Sequence, residues 1–181
     1  MKILLALLMI STSLFSSNLS TLYKLYEKQE YDKACDYAHK YYYKKRNKSS
    51  ENYLTFYGLS CLETNNISRV AIPMTALTQT EDARANASYF GTILLQKQLL
   101  FQALIDKKPL GDLHLPTTNF ILSKLFTLFI EKKYTIEDEV YTFKDSDFLY
   151  HLYIKKGKKN RQYMVIDIYK EEKFTKRYQY K

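Results

Sequence analysis

The amino-acid sequence predicts an α+β protein, in which an N-terminal array of helical hairpins is followed by an antiparallel β-meander. Apolar residues recur at helical spacing from Leu19 to Ile130, whereas apolar and polar residues alternate after Tyr134. Glycine and proline are scarce, with 4 and 3 copies, which is typical of helices joined by short turns. The apolar fraction of 46% is high enough for a packed core and excludes a disordered chain.

The first 17 residues have the order of a secretory signal peptide. Lys2 provides a positive start, residues 3–10 form an apolar run, and small polar residues follow as far as Ser17. This run is shorter than the ~20 residues that a membrane-spanning helix needs. We therefore interpret residues 1–17 as a signal peptide and expect export to the periplasm or cell envelope; whether the signal is cleaved stays open. An uncleaved first helix is the alternative.

Helical periodicity predicts the elements of a domain that spans residues 18–133. Pro73 falls inside the fourth helix, where a proline is accommodated in the first turns or as a kink. Residues 96–98 interrupt the apolar pattern of the next helix and predict a break in it. A last, strongly apolar helix caps the array. The predicted helices span residues 19–29, 31–43, 67–79, 81–105 and 119–130, and a further helix begins after Ser50, which has the residue type of an N-cap.

A repeated spacing of small or apolar residues relates these helices to one another. Ala34, Val70 and Ala103 lie 36 and 33 residues apart. Facing small residues allow two helix backbones to approach closely, while larger side chains fill the neighbouring gaps. Each of these three residues lies twelve residues after a matching position in the preceding helix. The matching positions are Leu22, Gly58 and Gly91.

Residues 29–34 carry the most specific part of this pattern. A polar turn at Gln29 leads to the aromatic Tyr31 and then to Ala34. The segment resembles the tetratricopeptide repeat, whose period is about 34 residues, and two further units resemble it at the matching positions given above. The resemblance covers residues 18–110 and implies three stacked hairpins. A helical bundle without repeats is the alternative.

The resemblance also implies a function. Repeats of this family present a groove, lined by the first helix of each hairpin, to a partner protein. We therefore expect a non-catalytic scaffold whose partner is another periplasmic or envelope protein. The groove candidates, chosen by their place in those helices, are Lys24, Tyr53, Tyr57, Tyr89 and Gln96.

Alternating residues predict a small antiparallel sheet over residues 134–181 that packs on the preceding helices. A basic turn around Gly157 joins its two longest strands. The last strand is a candidate edge for homo-oligomerisation, because an edge strand presents unpaired backbone groups. The predicted strands span residues 140–143, 148–154, 163–169 and 174–180.

Two basic clusters account for much of the net charge of +9. Solvated turns are their ordinary explanation. The alternative function is binding to an anionic surface, such as lipid headgroups, a glycan or nucleic acid. Nucleic acid is not expected for an exported protein, whereas peripheral membrane contact stays open. The clusters are Lys44, Lys45, Arg46 and Lys48, and Lys155, Lys156, Lys158, Lys159 and Arg161.

The sequence contains no local motif for catalysis, a cofactor or a metal, and we expect none of the three. Cys35 and Cys61 are interpreted first as buried apolar residues, with a disulfide as the alternative that stacked hairpins allow. Cys35 and His39 lie one helical turn apart and form the one local thiol–imidazole pair. An enzyme built on that pair is the rival interpretation.

Overall fold

The computed structural model describes residues 18–64 and 66–181, so the expected signal peptide lies outside the described residues. Over the described part of the chain, seven α-helices precede a five-stranded antiparallel sheet, and the α+β class is confirmed. None of the described helices is both long enough and apolar enough to cross a membrane. The helices are α1 (Asn18–Glu27), α2 (Tyr31–Tyr41), α3 (Lys45–Lys48), α4 (Glu51–Leu62), α5 (Ala71–Ala76), α6 (Glu81–Asp106) and α7 (Ile121–Ile130).

Two pairs of consecutive helices, α1–α2 and α4–α5, pack against each other as helical hairpins. Gln29, where the repeat family commonly has glycine, adopts a left-handed φ of 58° in the first turn. Ser50 caps α4 by accepting a hydrogen bond from the backbone N–H of Tyr53 at 3.3 Å. A 3₁₀ turn over Ile67–Val70 leads into α5, and the buried Pro73 is the third residue of that helix, as proline requires. Helix α4 contacts α1, α2 and α5.

The expected break at residues 96–98 is wrong, because α6 runs without interruption for 26 residues. Gln96 and Lys97 are buried rather than exposed in a turn. The Gln96 amide donates to the carbonyl of Pro116 at 3.1 Å and accepts from the hydroxyl of Ser123. Residues outside α6 therefore supply the hydrogen bonds of polar side chains whose sequence is typical of a turn. Gly91 and Ala103 consequently lie on one helix, and the expected third hairpin does not form.

The sheet is a meander in which every neighbouring pair of strands is antiparallel. All four predicted strands are present. The additional strand β1 escaped the sequence analysis because its three residues are all exposed and show no apolar alternation. The strands are β1 (Thr135–Glu137), β2 (Val140–Asp145), β3 (Phe148–Lys156), β4 (Gln162–Lys170) and β5 (Lys173–Tyr180).

One face of the sheet packs on α6 and α7. Tyr141 lies opposite the buried Leu152 on β3, and the ring of Tyr141 is 5.4 Å from that of Phe129 on α7. Lys124 of α7 donates to the hydroxyl of Tyr150 at 3.1 Å. The opposite face carries the alternate residues of each strand, among them Asp167. The helices and the sheet therefore share a hydrophobic core that runs from Leu22 to Tyr180.

Cys35 on α2 and Cys61 on α4 form a disulfide, with their Cα atoms 4.9 Å apart. The preferred interpretation of these residues as free buried side chains is therefore wrong. The structure also removes the thiol–imidazole alternative, because the sulfur of Cys35 is bonded and Nδ1 of His39 lies 2.8 Å from the hydroxyl of Tyr57. Cysteine in a disulfide has no thiolate to act as a nucleophile.

Candidate functional site

The strongest candidate is a cluster of rings on the side where α1 contacts α4. Phe56 of α4 meets two tyrosines of α1, with ring centroids 5.2 Å from Tyr23 and 5.3 Å from Tyr26. Tyr31, the first residue of α2, lies 5.4 Å from Tyr26. Tyr23 is 43% exposed although its ring packs on Phe56. We call these four residues the aromatic face.

Helical spacing places these rings together. Tyr23 and Tyr26 are three residues apart on α1 and therefore occupy one side of that helix. Phe56 is in the middle of α4, which contacts α1. All three pairs are edge-on, an arrangement that aromatic side chains prefer. The packed rings consequently form a largely apolar surface.

Tyr89 extends this side of the molecule to α6. Its hydroxyl donates to the side-chain oxygen of Asn119 at 2.9 Å, which fixes the ring. Burial raises the pKa of Tyr89, and the charge of Glu63 and the hydroxyl of Tyr26 raise it further. The side chain of Asn86, also on α6, donates to Thr55 of α4 at 3.3 Å. Helices α1, α4 and α6 therefore all contribute to this side.

Glu63 supplies negative charge to the aromatic face. This exposed residue follows the last residue of α4 and is its C-cap. The pKa of Tyr26 is raised by burial first, and also by Tyr31 and by Glu63. The same carboxylate acts on Tyr89 and on Tyr180 of β5. Glu63 therefore acts electrostatically on tyrosines of α1, α6 and β5.

The structure contradicts three of the five groove candidates. Tyr53 and Tyr57 are both 0% exposed and point towards α2. The Tyr53 hydroxyl donates to the carbonyl of Ala38 at 2.9 Å, while Tyr57 pairs with His39. Gln96 is buried in the polar contacts with Pro116 and Ser123 described above. These three side chains are core residues and line no open groove.

The error is one of helix phase. Successive helical residues are turned by about 100°, so Phe56 projects onto the aromatic face while Tyr57 projects into the core. Of the remaining candidates, Lys24 is exposed on α1 and Tyr89 is half-buried on α6. Sequence reasoning missed Tyr23, Tyr26 and Phe56. The pair of tyrosines three residues apart on α1 was the signal that could have revealed them.

The two basic clusters lie on other parts of the molecule. The first falls largely in the single helical turn α3 rather than in a loop, and its lysines cover neighbouring tyrosine rings. Nζ of Lys44 is 4.7 Å from the ring of Tyr41, and Nζ of Lys48 is 5.2 Å from that of Tyr43. The second cluster was expected in a turn, but Lys155 and Lys156 are the last two residues of β3, and only Lys158, Lys159 and Arg161 lie in the turn between β3 and β4.

The aromatic face has the side chains of a binding surface. A set of rings beside a carboxylate accepts apolar side chains and cations, the latter through the negative faces of the rings. Within residues 18–64 and 66–181, no group of three or more His, Cys, Asp and Glu side chains is placed to hold a metal ion.

No protein-family model matches this sequence, and no curated protein or solved structure is significantly similar to it. The tetratricopeptide resemblance therefore rests on the residues of this chain alone.

Proposed function

We propose that this protein is a non-catalytic scaffold of the periplasm or cell envelope that binds a segment of another protein on its aromatic face. The cluster of Tyr23, Tyr26, Tyr31 and Phe56 is the observation that carries the proposal. Large, rigid aromatic side chains that are partly exposed are enriched at protein interfaces, because they bury much area at little entropic cost.

The two helical hairpins support the tetratricopeptide-like interpretation. Helices α1 and α4 are the first helices of those hairpins, and the aromatic face spans the contact between them. In repeat proteins this layer of helices lines the binding surface. The long helix α6 contacts both α4 and α5. It therefore lies where the first helix of a third hairpin would lie.

The disulfide between Cys35 and Cys61 supports export. Disulfides persist in oxidising compartments and are rare where glutathione keeps thiols reduced. An N-terminal sequence with the order of a secretory signal points the same way. Both observations favour a partner that is itself in the periplasm or envelope.

Charge and aromatic character define the segment that this face would accept. Apolar side chains of the partner would cover Phe56 and the ring of Tyr23. A lysine or arginine of the partner would lie near Glu63, where the carboxylate and the rings both attract a cation. The expected ligand is therefore an extended or helical segment with apolar residues and at least one basic residue.

Site-directed photocrosslinking in cells tests the proposal. A photoreactive residue at Lys24, which is exposed and follows Tyr23 on α1, should trap one defined protein. The same residue at Lys45 on α3 is the control and should not trap it. The partner identified in this way is then purified, and its affinity is measured for the variants Tyr23→Ser and Glu63→Lys.

We expect each of these variants to weaken binding at least tenfold, which corresponds to about 1.4 kcal/mol. The matched control is Tyr43→Ser, because Tyr43 is 68% exposed on another part of the molecule. The proposal is wrong if Lys24 and Lys45 give the same adducts, or if Tyr43→Ser weakens binding as much as Tyr23→Ser does.

A further inference from the structure

A second candidate site, which differs in chemistry from the aromatic face, lies at the turn between β3 and β4. An open cavity of about 450 Å³ lies there, within the range of about 300–1,000 Å³ that small-molecule sites occupy. Four cationic side chains line it, and none of its lining residues is acidic. The lining residues are Lys155, Gly157, Lys158, Lys159, Arg161, Tyr163 and Gln179.

Strand register explains why these side chains converge. Lys155 pairs with Tyr163 across β3 and β4, and Gln179 of β5 pairs with Val165, two residues further along β4. Residues two apart on a strand share a face, so all three side chains lie on the face that does not pack on the helices. Lys158, Lys159 and Arg161, which lie in the turn, complete the lining of the cavity.

The turn itself is tightly held. The N–H of Gly157 donates to the carbonyl of Arg161 at 2.7 Å, and the N–H of Arg161 donates to the carbonyl of Lys158 at 3.4 Å. Gly157 also allows the ring of Tyr163 to pack directly on the backbone. A Cβ atom at this position would lie 2.5 Å from Cε2 of Tyr163, closer than side chains tolerate. The tyrosine ring is thus a fixed wall of the cavity.

Charge identifies the ligand class. Among the described ion pairs, none involves Lys155, Lys158, Lys159 or Arg161. Four cations around one cavity favour an anion with more than one charge. A phosphate monoester carries about −1.5 to −2 at neutral pH, whereas a carboxylate carries one charge.

We infer that the cavity at the β3–β4 turn binds a phosphate group. Arg161 has the planar fork that matches phosphate oxygens, and the lysines act as point charges around it. Tyr163 would pack against the sugar or glycerol part that carries the phosphate. The phosphate could come from a soluble metabolite or from a lipid headgroup, and the two sources require the same cavity chemistry.

Nuclear magnetic resonance of the mature protein with glycerol 1-phosphate tests the soluble source. Cosedimentation with vesicles that contain phosphatidic acid, whose headgroup is also a phosphate monoester, against vesicles of phosphatidylcholine alone, tests the lipid source. We expect saturable binding of at least one probe, with chemical-shift changes for the soluble ligand concentrated at residues 155–163. Binding of the soluble probe alone identifies a metabolite site, and binding of the vesicles alone identifies a headgroup site.

Three variants separate a built site from general attraction to positive charge. Lys158→Gln/Lys159→Gln/Arg161→Gln should weaken binding at least tenfold. The control Lys44→Gln/Lys45→Gln/Arg46→Gln removes the same charge from the other basic cluster and should change binding less than twofold. Gly157→Ala leaves the charge unchanged, displaces Tyr163 and should weaken binding several-fold.

The inference fails if the wild-type protein binds neither probe. It also fails if the two triple variants lose affinity equally, because only total charge would then matter. Circular dichroism of each variant confirms that the sheet is intact. These outcomes are independent of the aromatic face, since none of the substituted residues belongs to it.

Discussion

Cys35 and Cys61 covalently join the second helix of the first hairpin to the first helix of the second, across a sequence separation of 26 residues. Both residues are completely buried, and the helices that carry them, α2 and α4, contact each other. The bond therefore fixes the stacking of the two hairpins, and with it the surface on which Tyr23 and Phe56 meet.

Reduction of this disulfide should destabilise the protein by about 3 kcal/mol. For a loop of this length, that is the free energy by which the added conformational entropy stabilises the unfolded chain once the bond is broken. Urea unfolding with and without a reductant measures the difference. The variant Cys35→Ala/Cys61→Ala should resemble the reduced protein. An unfolding midpoint that does not move on reduction would contradict a structural role for the bond.

Gly58→Ala should destabilise the protein by about 1–3 kcal/mol through overpacking. A Cβ atom on α4 at this position would clash with the ring of Phe90, which is completely buried on α6 and has no room to move. Gly91→Ala is the matched control. Its nearest neighbour is Sδ of Met74 at 3.4 Å, and alanine gains about 1 kcal/mol of helix propensity.

Thermal and urea unfolding of the two glycine variants should therefore differ in sign. Gly91→Ala is expected to be neutral or stabilising, whereas Gly58→Ala lowers the melting temperature. Equal effects of the two substitutions would show that α4 and α6 do not approach each other at Gly58.

The protein should lose stability as the pH rises from 10 towards 12. Burial raises the pKa of Tyr57 from its ordinary value of 10.0 to about 12. A group whose pKa is higher in the folded state stabilises the fold below its unfolded pKa, and that contribution disappears as the pH passes through the folded value. Urea midpoints measured from pH 8 to pH 12 follow this loss.

Tyr57→Phe should show a smaller alkaline loss, because it removes the titrating group. At neutral pH it should cost about 1 kcal/mol, since Nδ1 of His39 loses the hydroxyl that lies 2.8 Å away. Tyr43→Phe, at an exposed position, is the control and should change neither quantity. An alkaline loss that is identical in Tyr57→Phe and the wild-type protein would refute this account.

Asp167→Asn should destabilise the sheet by about 2 kcal/mol at pH 7. The buried carboxylate accepts from Nε and Nη2 of Arg177 at 2.6 and 2.7 Å and from the Tyr153 hydroxyl at 3.0 Å. These hydrogen bonds, with Arg177 first, hold the pKa of Asp167 below its ordinary value of 3.8 despite the opposing effect of burial.

Acid should reduce the difference between this variant and the wild-type protein. Because the folded pKa of Asp167 is lowered, its stabilising contribution is present above the unfolded pKa and disappears as the pH falls through the folded value. Urea unfolding at pH 7 and below pH 4 measures the difference at each end. A difference that stays constant over this range would mean that the charge of Asp167 contributes nothing.

Local pattern was sufficient to predict much of the fold. The Ser50 cap, the position of Pro73 in α5, the apolar helix α7 and four strands depend on residue type and spacing over a few residues, and all are present. The long helix α6 was predicted with a break because Gln96 and Lys97 interrupt its apolar pattern, and the local sequence offers only the Gln98 side chain, which accepts from Lys97 at 3.3 Å. Their other partners are Pro116, Ser123 and Lys181, which only folding brings near.

For the candidate sites too, some features follow from local sequence pattern and others only from tertiary packing. The sequence by itself determined the α+β class, the order of the elements and the basic turn after β3, because periodicity and charge are local properties. Only the tertiary structure decided that Phe56 rather than Tyr57 faces outward, that Cys35 bonds Cys61 and that Tyr163 forms a wall beside four cations. The physical reason is that helix phase, disulfide pairing and cavity shape depend on how distant elements pack against one another.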